Sequence, residues 1–409
     1  MDALKLPKVY SKTVTMSNQI LPGTFQSLDS CNHEPGCIFW YDQHDWSTKQ
    51  TPFNSFLNEK AWQQLCEDPS AKIIAWYANE YYNALDLDDW AKTLKRHNVP
   101  GNRFWLICMD ENWEKWTIAE LEKRDIVGIN IINYNKLMSL VKPRKLVETK
   151  RRFSIFSRNY LKWRLYFYLC LVNRGILNEN FTYTFNKIYP YIVDPDDPDL
   201  GIFTHDKLKN DMLEMGYEFT SHTLYWLNNI PYQLVETKEC SELDKQKLPE
   251  KLYQEMEESD INIVVESHFD PFWNFSAEKF EYAVRDFSPA FPTEKTYKAI
   301  ACNRPFIMFS TPYFLQEFRE LGYKTFHPYI DESYDNIEDN MSRLQAIVAE
   351  IERLSNMSYE EFKALMNKIA PIAAHNKRIM EEKIAELPTK LTGKWQFFSD
   401  IINDNFVQP

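Results

Sequence analysis

Short apolar runs alternating with helical stretches predict an α/β protein of two domains. Three observations carry this reading. Residues 261–326 alternate strand and helix signals, residues 37–134 do the same, and 409 residues are long for a single core. In the C-terminal stretch the β-branched run Ile261–Val265 leads into a polar loop. Thr293 then caps a helix expected from Glu294 to about Cys302, with Glu and Lys in its first turn. The apolar run Phe306–Phe309 follows, and Thr311-Pro312 reads as N-cap and first residue of another helix. That helix carries Phe314, Leu315, Phe318 and Leu321 at helical spacing and stops at Gly322. Tyr323–Phe326 reads as a third strand, completing a β-α-β-α-β unit of the kind that forms a parallel sheet. Ligands of such sheets bind outside the carboxyl ends of the strands, where helix N-termini offer free N–H groups to anions. The triplet Thr293-Glu294-Lys295 stands at that point.

The first half follows the same rhythm. Cys37–Tyr41, Ile73–Tyr77, Arg103–Met109 and Gly128–Tyr134 read as strands. Asp86–His97 reads as a helix with early acids and late bases, matching its dipole. Patterning lapses and charge rises over Pro143–Arg152, the expected crossing between domains. Beyond it, Phe153–Phe156 reads as a strand, followed by a loop at Ser157-Arg158-Asn159. A helix then carries Leu161, Leu165, Tyr168, Leu169 and Val172 on one face and ends at Gly175, with Arg164 in its first turn, away from that face. Leu344, Ile347, Val348, Ile351 and Leu354 form a later helical stripe, Ser358 and Glu361 a capping box, and Trp395, Phe397 and Phe398 the contacts of a last helix. The domains expected are 1–145, 146–340 and a set of C-terminal helices over 341–409 packing across them.

Composition narrows the function classes. Only 9 glycines occur, and neither GxGxxG nor GxxxxGK[ST] is present, which argues against a Rossmann dehydrogenase or a P-loop NTPase. The net charge of −12 argues against a general polyanion binder. The run from Lys142 to Arg164 is the exception, with nine Lys or Arg against one acid, Glu148. The seven cysteines are scattered, as expected of reduced thiols, and Cys31 and Cys37 flank His33 without a second pair to complete a zinc site. The longest apolar run, Leu165–Val172, is too short to span a bilayer, and no signal sequence is read, so a cytoplasmic location without a membrane partner is expected.

Arg164, Glu294 and Lys295 are the leading chemical candidates. A diphosphate needs cationic hydrogen-bonding partners, and needs them more as it leaves. Glu294 would repel phosphate and suits a sugar or ribose hydroxyl. Thr293-Glu294-Lys295 with the helix, strand and turn after it resembles the donor-binding motif of the α1,3-fucosyltransferase family. The segment Phe153 to Asn159, with Arg164 after it, is similar to that family's Ser-Asn…Arg segment, although Arg158 interrupts the Ser-Asn pair here. The string TEKT, NRPF and GYKTF resembles more closely still a group of glycosyltransferase-like proteins of tailed bacteriophages. The resemblance covers roughly residues 150–340.

It implies a GT-B-like fold, two Rossmann-like domains with a cleft between them, and inverting transfer from a nucleotide-sugar without a metal cofactor. By position, Arg164 and Lys295 would hold the donor diphosphate and Glu294 a donor hydroxyl. Glu266, Thr293, Lys298, Arg158 and Asn159 are further donor-side candidates. Inverting transfer also needs a general base for the acceptor hydroxyl. Glu80, after Ile73–Tyr77, and Asp42 and Asp45, after Cys37–Tyr41, stand in the right kind of loop, as does His44. Two acceptor classes follow: a hydroxymethylated base of phage DNA, contacted by the Lys142–Arg164 run, or a glycan or protein hydroxyl. A competing reading takes Asp194-Pro195-Asp196 as a metal-binding DxD, against which Pro195 and Pro198 favour a solvated turn. A viral protein that keeps the fold without activity is the non-enzyme alternative.

Overall fold

The computed structural model describes residues 9–11, 25–27, 36–42, 53, 56–76, 84–135, 138, 141–157, 162–185, 205–230, 250–266, 269 and 292–392. The chain divides into two compact units, 1–139 with 382–409, and 140–381. Each is an α/β unit built on one parallel sheet, as the alternation predicts.

Unit 1 holds β1 (Val9–Ser11), β2 (Phe25–Ser27), β3 (Ile38–Asp42), β4 (Lys72–Trp76), β5 (Phe104–Cys108) and β6 (Asn130–Asn133). They form one sheet in the order β2-β1-β3-β4-β5-β6, every pair parallel. Helices α1 (Glu59–Glu67), α2 (Ala84–Arg96) and α3 (Glu111–Glu122) connect the later strands. Parallel strands covered on both faces read as near-continuous apolar runs. Accordingly Ile38, Phe39, Trp40, Ile73, Ile74, Leu106 and Ile107 are buried, with Trp62 and Trp90 beside them from the helices.

Unit 2 holds β7 (Arg151–Ser157), β8 (Phe181–Phe185), β9 (Ser259–Val265) and β10 (Phe306–Phe309) in the parallel order β10-β9-β7-β8. Its helices are α4 (Lys162–Asn173), α5 (His205–Glu214), α6 (Ser221–Asn228), α7 (Glu250–Glu257), α8 (Glu294–Ala301), α9 (Phe314–Glu320), α10 (Asn340–Ser355) and α11 (Tyr359–Thr392). The last residues of α11, from Glu382, count with unit 1. Central strand β9 is buried along its whole length, polar residues included. Buried polar groups need partners. Asn262 finds one in the Ser154 hydroxyl on β7, and Asp260 finds two in Thr149 and Lys363.

Several local expectations hold. Thr293 caps α8, Cys302 ends it, and Gly175 and Gly322 take the positive φ that follows a helix end. Leu344, Ile347, Val348, Ile351 and Leu354 are buried on α10. Ser358 and Glu361 form the reciprocal capping box, with Ser358 N–H to Glu361 at 3.0 Å and Glu361 N–H to Ser358 at 3.3 Å.

Three expectations are corrected. Helix α9 starts at Phe314, not at Pro312, because Tyr313 adopts a left-handed φ of 64°. Its free N–H groups are capped from a distance by Asp335, which accepts from Leu315 at 2.9 Å and Gln316 at 3.1 Å. Residues 323–326 form no strand, since their backbone meets a side chain of α11 instead of a neighbouring strand. Finally, α4 is not one-sided. Residues 164–172 are all buried, so Arg164 lies inside the unit and not on a solvated face. The Trp395, Phe397 and Phe398 contacts lie outside the described residues.

Candidate functional site at the carboxyl end of the unit 2 sheet

The candidate site begins where β9 ends. Glu266 is the next residue, 2% exposed, and its backbone N–H still bonds Phe309 of β10 at 3.0 Å. Its carboxylate braces the start of α8. One oxygen accepts the Thr293 N–H at 3.0 Å and the Thr296 hydroxyl, and the other accepts the Thr293 hydroxyl at 2.6 Å. Thr293 Oγ1 in turn caps the helix, accepting the Lys295 N–H at 3.3 Å. A carboxylate near a helix N-terminus is favoured by the helix dipole. Here it also fixes where that terminus points.

Arg164 joins the same residue from α4. It is 5% exposed and donates from Nη2 to the Glu266 carbonyl at 2.8 Å. Burial pushes its guanidinium down to about 10, against the pull of Glu266, Tyr168 and Glu294. It stays charged at neutral pH. The sequence therefore chose two positions 102 residues apart that the fold brings onto one strand end.

The α8 side chains form a graded set. Lys295 is half-buried, with its ammonium 3.8 Å from Glu266 and 3.3 Å from the Thr293 hydroxyl. Glu294 pairs with Lys298 one turn on, at 3.6 Å. Burial would raise the Glu294 carboxyl, but Lys295 and Lys298 hold it below its ordinary value. Lys298 is buried, and that burial draws its ammonium down, with Glu294 opposing. Thr293, Thr296 and Glu266 are sealed inside, whereas Glu294 and Lys295 retain partial exposure. The sealed residues position the terminus and the exposed ones can meet a ligand. An anion with hydroxyls attached is what such an edge can hold.

The other sequence candidates fall differently. Glu80, His44, Asp45, Arg158, Asn159 and Asp194-Pro195-Asp196 lie outside the described residues. Asp42 is the last residue of β3, and its side chain is likewise outside them. Among the described residues no group of three or more His, Cys, Asp or Glu could hold a metal ion, and no helix is long and apolar enough to cross a membrane.

Four cations of the basic run are paired within unit 2. Arg144 pairs with Glu250 and Glu257 and lies over the Tyr253 ring, Arg151 pairs with Glu255, and Lys150 pairs with Glu258 at 2.7 Å. All four acids belong to α7 or the residue after it. Arg152 instead donates to the carbonyls ending α10, Ser355 at 3.0 Å and Met357 at 2.8 Å. These four cations thus tie β7 and the segment before it to α7 and to the end of α10.

Sequence reasoning also passed over Asp110. It follows a strand and opens a helix, the same signal that singled out Thr293. A cavity of about 290 Å³ in unit 1, lined by Trp105, Glu114, Ile118, Ile129, Asn130 and Ile131, lies toward the starts of β5 and β6. It is therefore not at the carboxyl edge of that sheet.

No family model matches the chain, and no curated protein matches it. Among solved structures, the chain is similar to trehalose-6-phosphate synthase, OtsA, at a TM-score of 0.39 and 12% identity, over 88% of this chain and 73% of that one. A likeness of that size says nothing about residues or substrates.

Proposed function

We propose that the protein is a glycosyltransferase of GT-B type that moves a sugar from a nucleotide-sugar to an acceptor hydroxyl, with inversion and without a metal cofactor. The observation that carries this reading is the Glu266 brace. It sets the N-terminus of α8 at the end of a parallel strand, beside a buried arginine and a half-buried lysine. A leaving nucleoside diphosphate gains negative charge, and prepositioned cations and N–H groups stabilise that charge most where water is excluded. Lys295 is the residue proposed to meet the diphosphate, with Arg164 adding its field from below. Glu294, kept ionised by two lysines, is proposed to accept from a ribose or sugar hydroxyl. The similarity of TEKT, NRPF and GYKTF to glycosyltransferase-like proteins supports the same assignment.

The acceptor is carried no further than a hydroxyl. The basic run that suggests a DNA acceptor pairs Arg144, Lys150, Arg151 and Arg152 with groups of unit 2.

A thermal-shift screen of UDP, GDP, CDP and their sugars, with and without EDTA, tests the donor assignment. A ligand present at 100 times its Kd adds about 2.7 kcal/mol and raises the melting temperature visibly. One nucleotide class should do so, equally with EDTA, and Lys295→Ala should abolish the shift while leaving the unliganded melting temperature within a degree or two. If no nucleotide raises it at millimolar concentration, the proposal is wrong.

A further inference from the structure

Unit 2 places an aromatic ring beside the candidate site that the donor assignment leaves unused. Trp163 stands in the first turn of α4, directly before Arg164. Successive helix residues point about 100° apart, so the two side chains diverge. Arg164 turns inward to the Glu266 carbonyl, and residues 164–172 are all buried, whereas Trp163 keeps partial exposure. From α8, Lys295 reaches the Glu266 carboxylate at 3.8 Å. The helix starts that carry Trp163 and Lys295 therefore meet at one residue, at the end of β9.

The indole is held by its neighbours. Trp163 packs on Phe269 at 5.5 Å between ring centres, inclined by 44°, and edge-on against Tyr166 at 5.8 Å. Phe269, in the segment that leaves β9, is buried and stacks on Phe309 of β10 at 4.0 Å and 10°. Arg343 fixes Phe269 from α10. Its guanidinium lies 4.3 Å from the centre of that ring, and Nη2 donates to the Phe269 carbonyl. The other donors go to the carbonyls of Ser310 at 3.2 Å, Ile337 at 2.7 Å and Glu338 at 3.0 Å, and to Asn340 Oδ1 at 2.5 Å. A buried arginine thus spends its whole donor fork binding the exits of β9 and β10 to the start of α10. An aromatic ring packed on such a base is already ordered, and binding to it loses little entropy.

We propose that Trp163 is the platform on which the base of a bound nucleotide stacks, with Phe269 and Arg343 holding it in place. That the ligand is a nucleotide rests on the transferase reading above, while the platform stands on unit 2 alone. A nucleotide presents an anion and a flat π-face. Lys295 at the α8 terminus suits the first, and a half-buried indole suits the second. Every base has a π-face, so stacking supplies affinity and leaves the choice of base to other groups. Arg343 acts through Phe269 and is a positioning residue.

Inorganic pyrophosphate, which has the anion without the base, separates this contact from the diphosphate site. In protein labelled with 5-fluorotryptophan, the ¹⁹F resonance that Trp163→Phe removes should move with UDP, GDP or CDP and stay in place with pyrophosphate. Trp163→Ala should weaken the nucleotide about 5- to 150-fold and leave pyrophosphate within about twofold of the parent. Trp163→Phe keeps a π-face and should recover most of that loss. Arg343→Lys loses the fork and should weaken the nucleotide in the same selective way, whereas Lys295→Ala should weaken both ligands. If none of the three nucleotides moves the resonance, or if pyrophosphate moves it as far, the platform is refuted. Trp163→Ala weakening pyrophosphate as much as nucleotide also refutes it, giving Trp163 a structural role only. A resonance that moves with a nucleotide in a protein that turns over no nucleotide-sugar upholds the platform and refutes the transferase reading.

Discussion

Asn376 holds the backbone of Lys324 with both ends of its amide: Oδ1 accepts the Lys324 N–H at 2.7 Å and Nδ2 donates to the Lys324 carbonyl at 2.7 Å. The pair reproduces what a neighbouring strand would give that residue. It explains how the Lys324 backbone is satisfied although residues 323–326 join no sheet. Asn376 is buried on α11, so the contact also ties the long C-terminal helix to the segment after α9.

Removing that amide should therefore be costly. Asn376→Ala leaves a donor and an acceptor of Lys324 unmet, and a loss of about 2–4 kcal/mol is expected in urea unfolding. Asn376→Asp keeps the acceptor and loses the donor, so its cost should be smaller at low pH and larger once the carboxyl ionises against the Lys324 carbonyl. A cost below about 0.5 kcal/mol for the alanine variant would show that water replaces the amide freely.

Glu266→Gln tests the brace. An amide oxygen can still accept the Thr293 N–H, but the NH₂ end cannot accept the hydroxyl on the other side, and Arg164 loses its buried counter-charge. We expect about 2–4 kcal/mol of destabilisation together with loss of the nucleotide-induced shift in melting temperature. Destabilisation with an intact nucleotide shift would mean that the brace holds the unit together without shaping a ligand site.

Asp110 sets a pH dependence whose sign is fixed by its raised folded value. The folded carboxyl titrates at about 6 against an ordinary 3.8, so the folded state binds the proton more tightly than the unfolded state. Its contribution to stability is fully present below pH 3.8 and is lost as pH rises through 6. Relative to Asp110→Asn, which does not titrate, the parent should lose on the order of 3 kcal/mol between pH 4 and pH 7.5. Urea midpoints for both proteins across that range measure it. Parallel curves would refute the buried carboxyl.

Gly101 marks a close backbone approach in unit 1. A Cβ at this position would stand 2.1 Å from the Val127 carbonyl oxygen, which belongs to backbone and cannot swing away. Gly101→Ala should cost about 1–3 kcal/mol through a forced backbone shift at the entry to β5. By contrast, Gly216→Ala meets open space and should suffer only the strain of its positive φ of 78°. A Gly101→Ala protein as stable as its parent in thermal unfolding contradicts the geometry.

Much of the fold was legible from local signals. The β3, β4, β5, β6, β7, β9 and β10 cores fall inside apolar runs visible in the chain, and their ends move by only a residue or two. Thr293 at the start of α8 and the Ser358–Glu361 box were legible because a cap acts within three residues. Helix α9 was misread because its cap, Asp335, lies 20 residues from the Leu315 N–H it serves. The candidate site was half legible: Thr-Glu-Lys at a helix start could be read, but not which of its residues would be sealed inside.

The sequence by itself determined an α/β chain with strand–helix alternation in both halves, its main helix caps, and a Thr-Glu-Lys triplet at a helix N-terminus. These are matters of period and of contacts a few residues apart, and any window of the chain contains them. Only the tertiary structure decided that Glu266 braces Thr293 and Thr296, that Arg164 is buried on the same residue, and that Asp110 keeps one buried oxygen unmatched among the described residues. It also decided that Arg144, Lys150 and Arg151 face α7, some hundred residues away in the chain. Charge and hydrogen-bonding groups act through space, and their partners are set by how the sheets close rather than by the residues beside them.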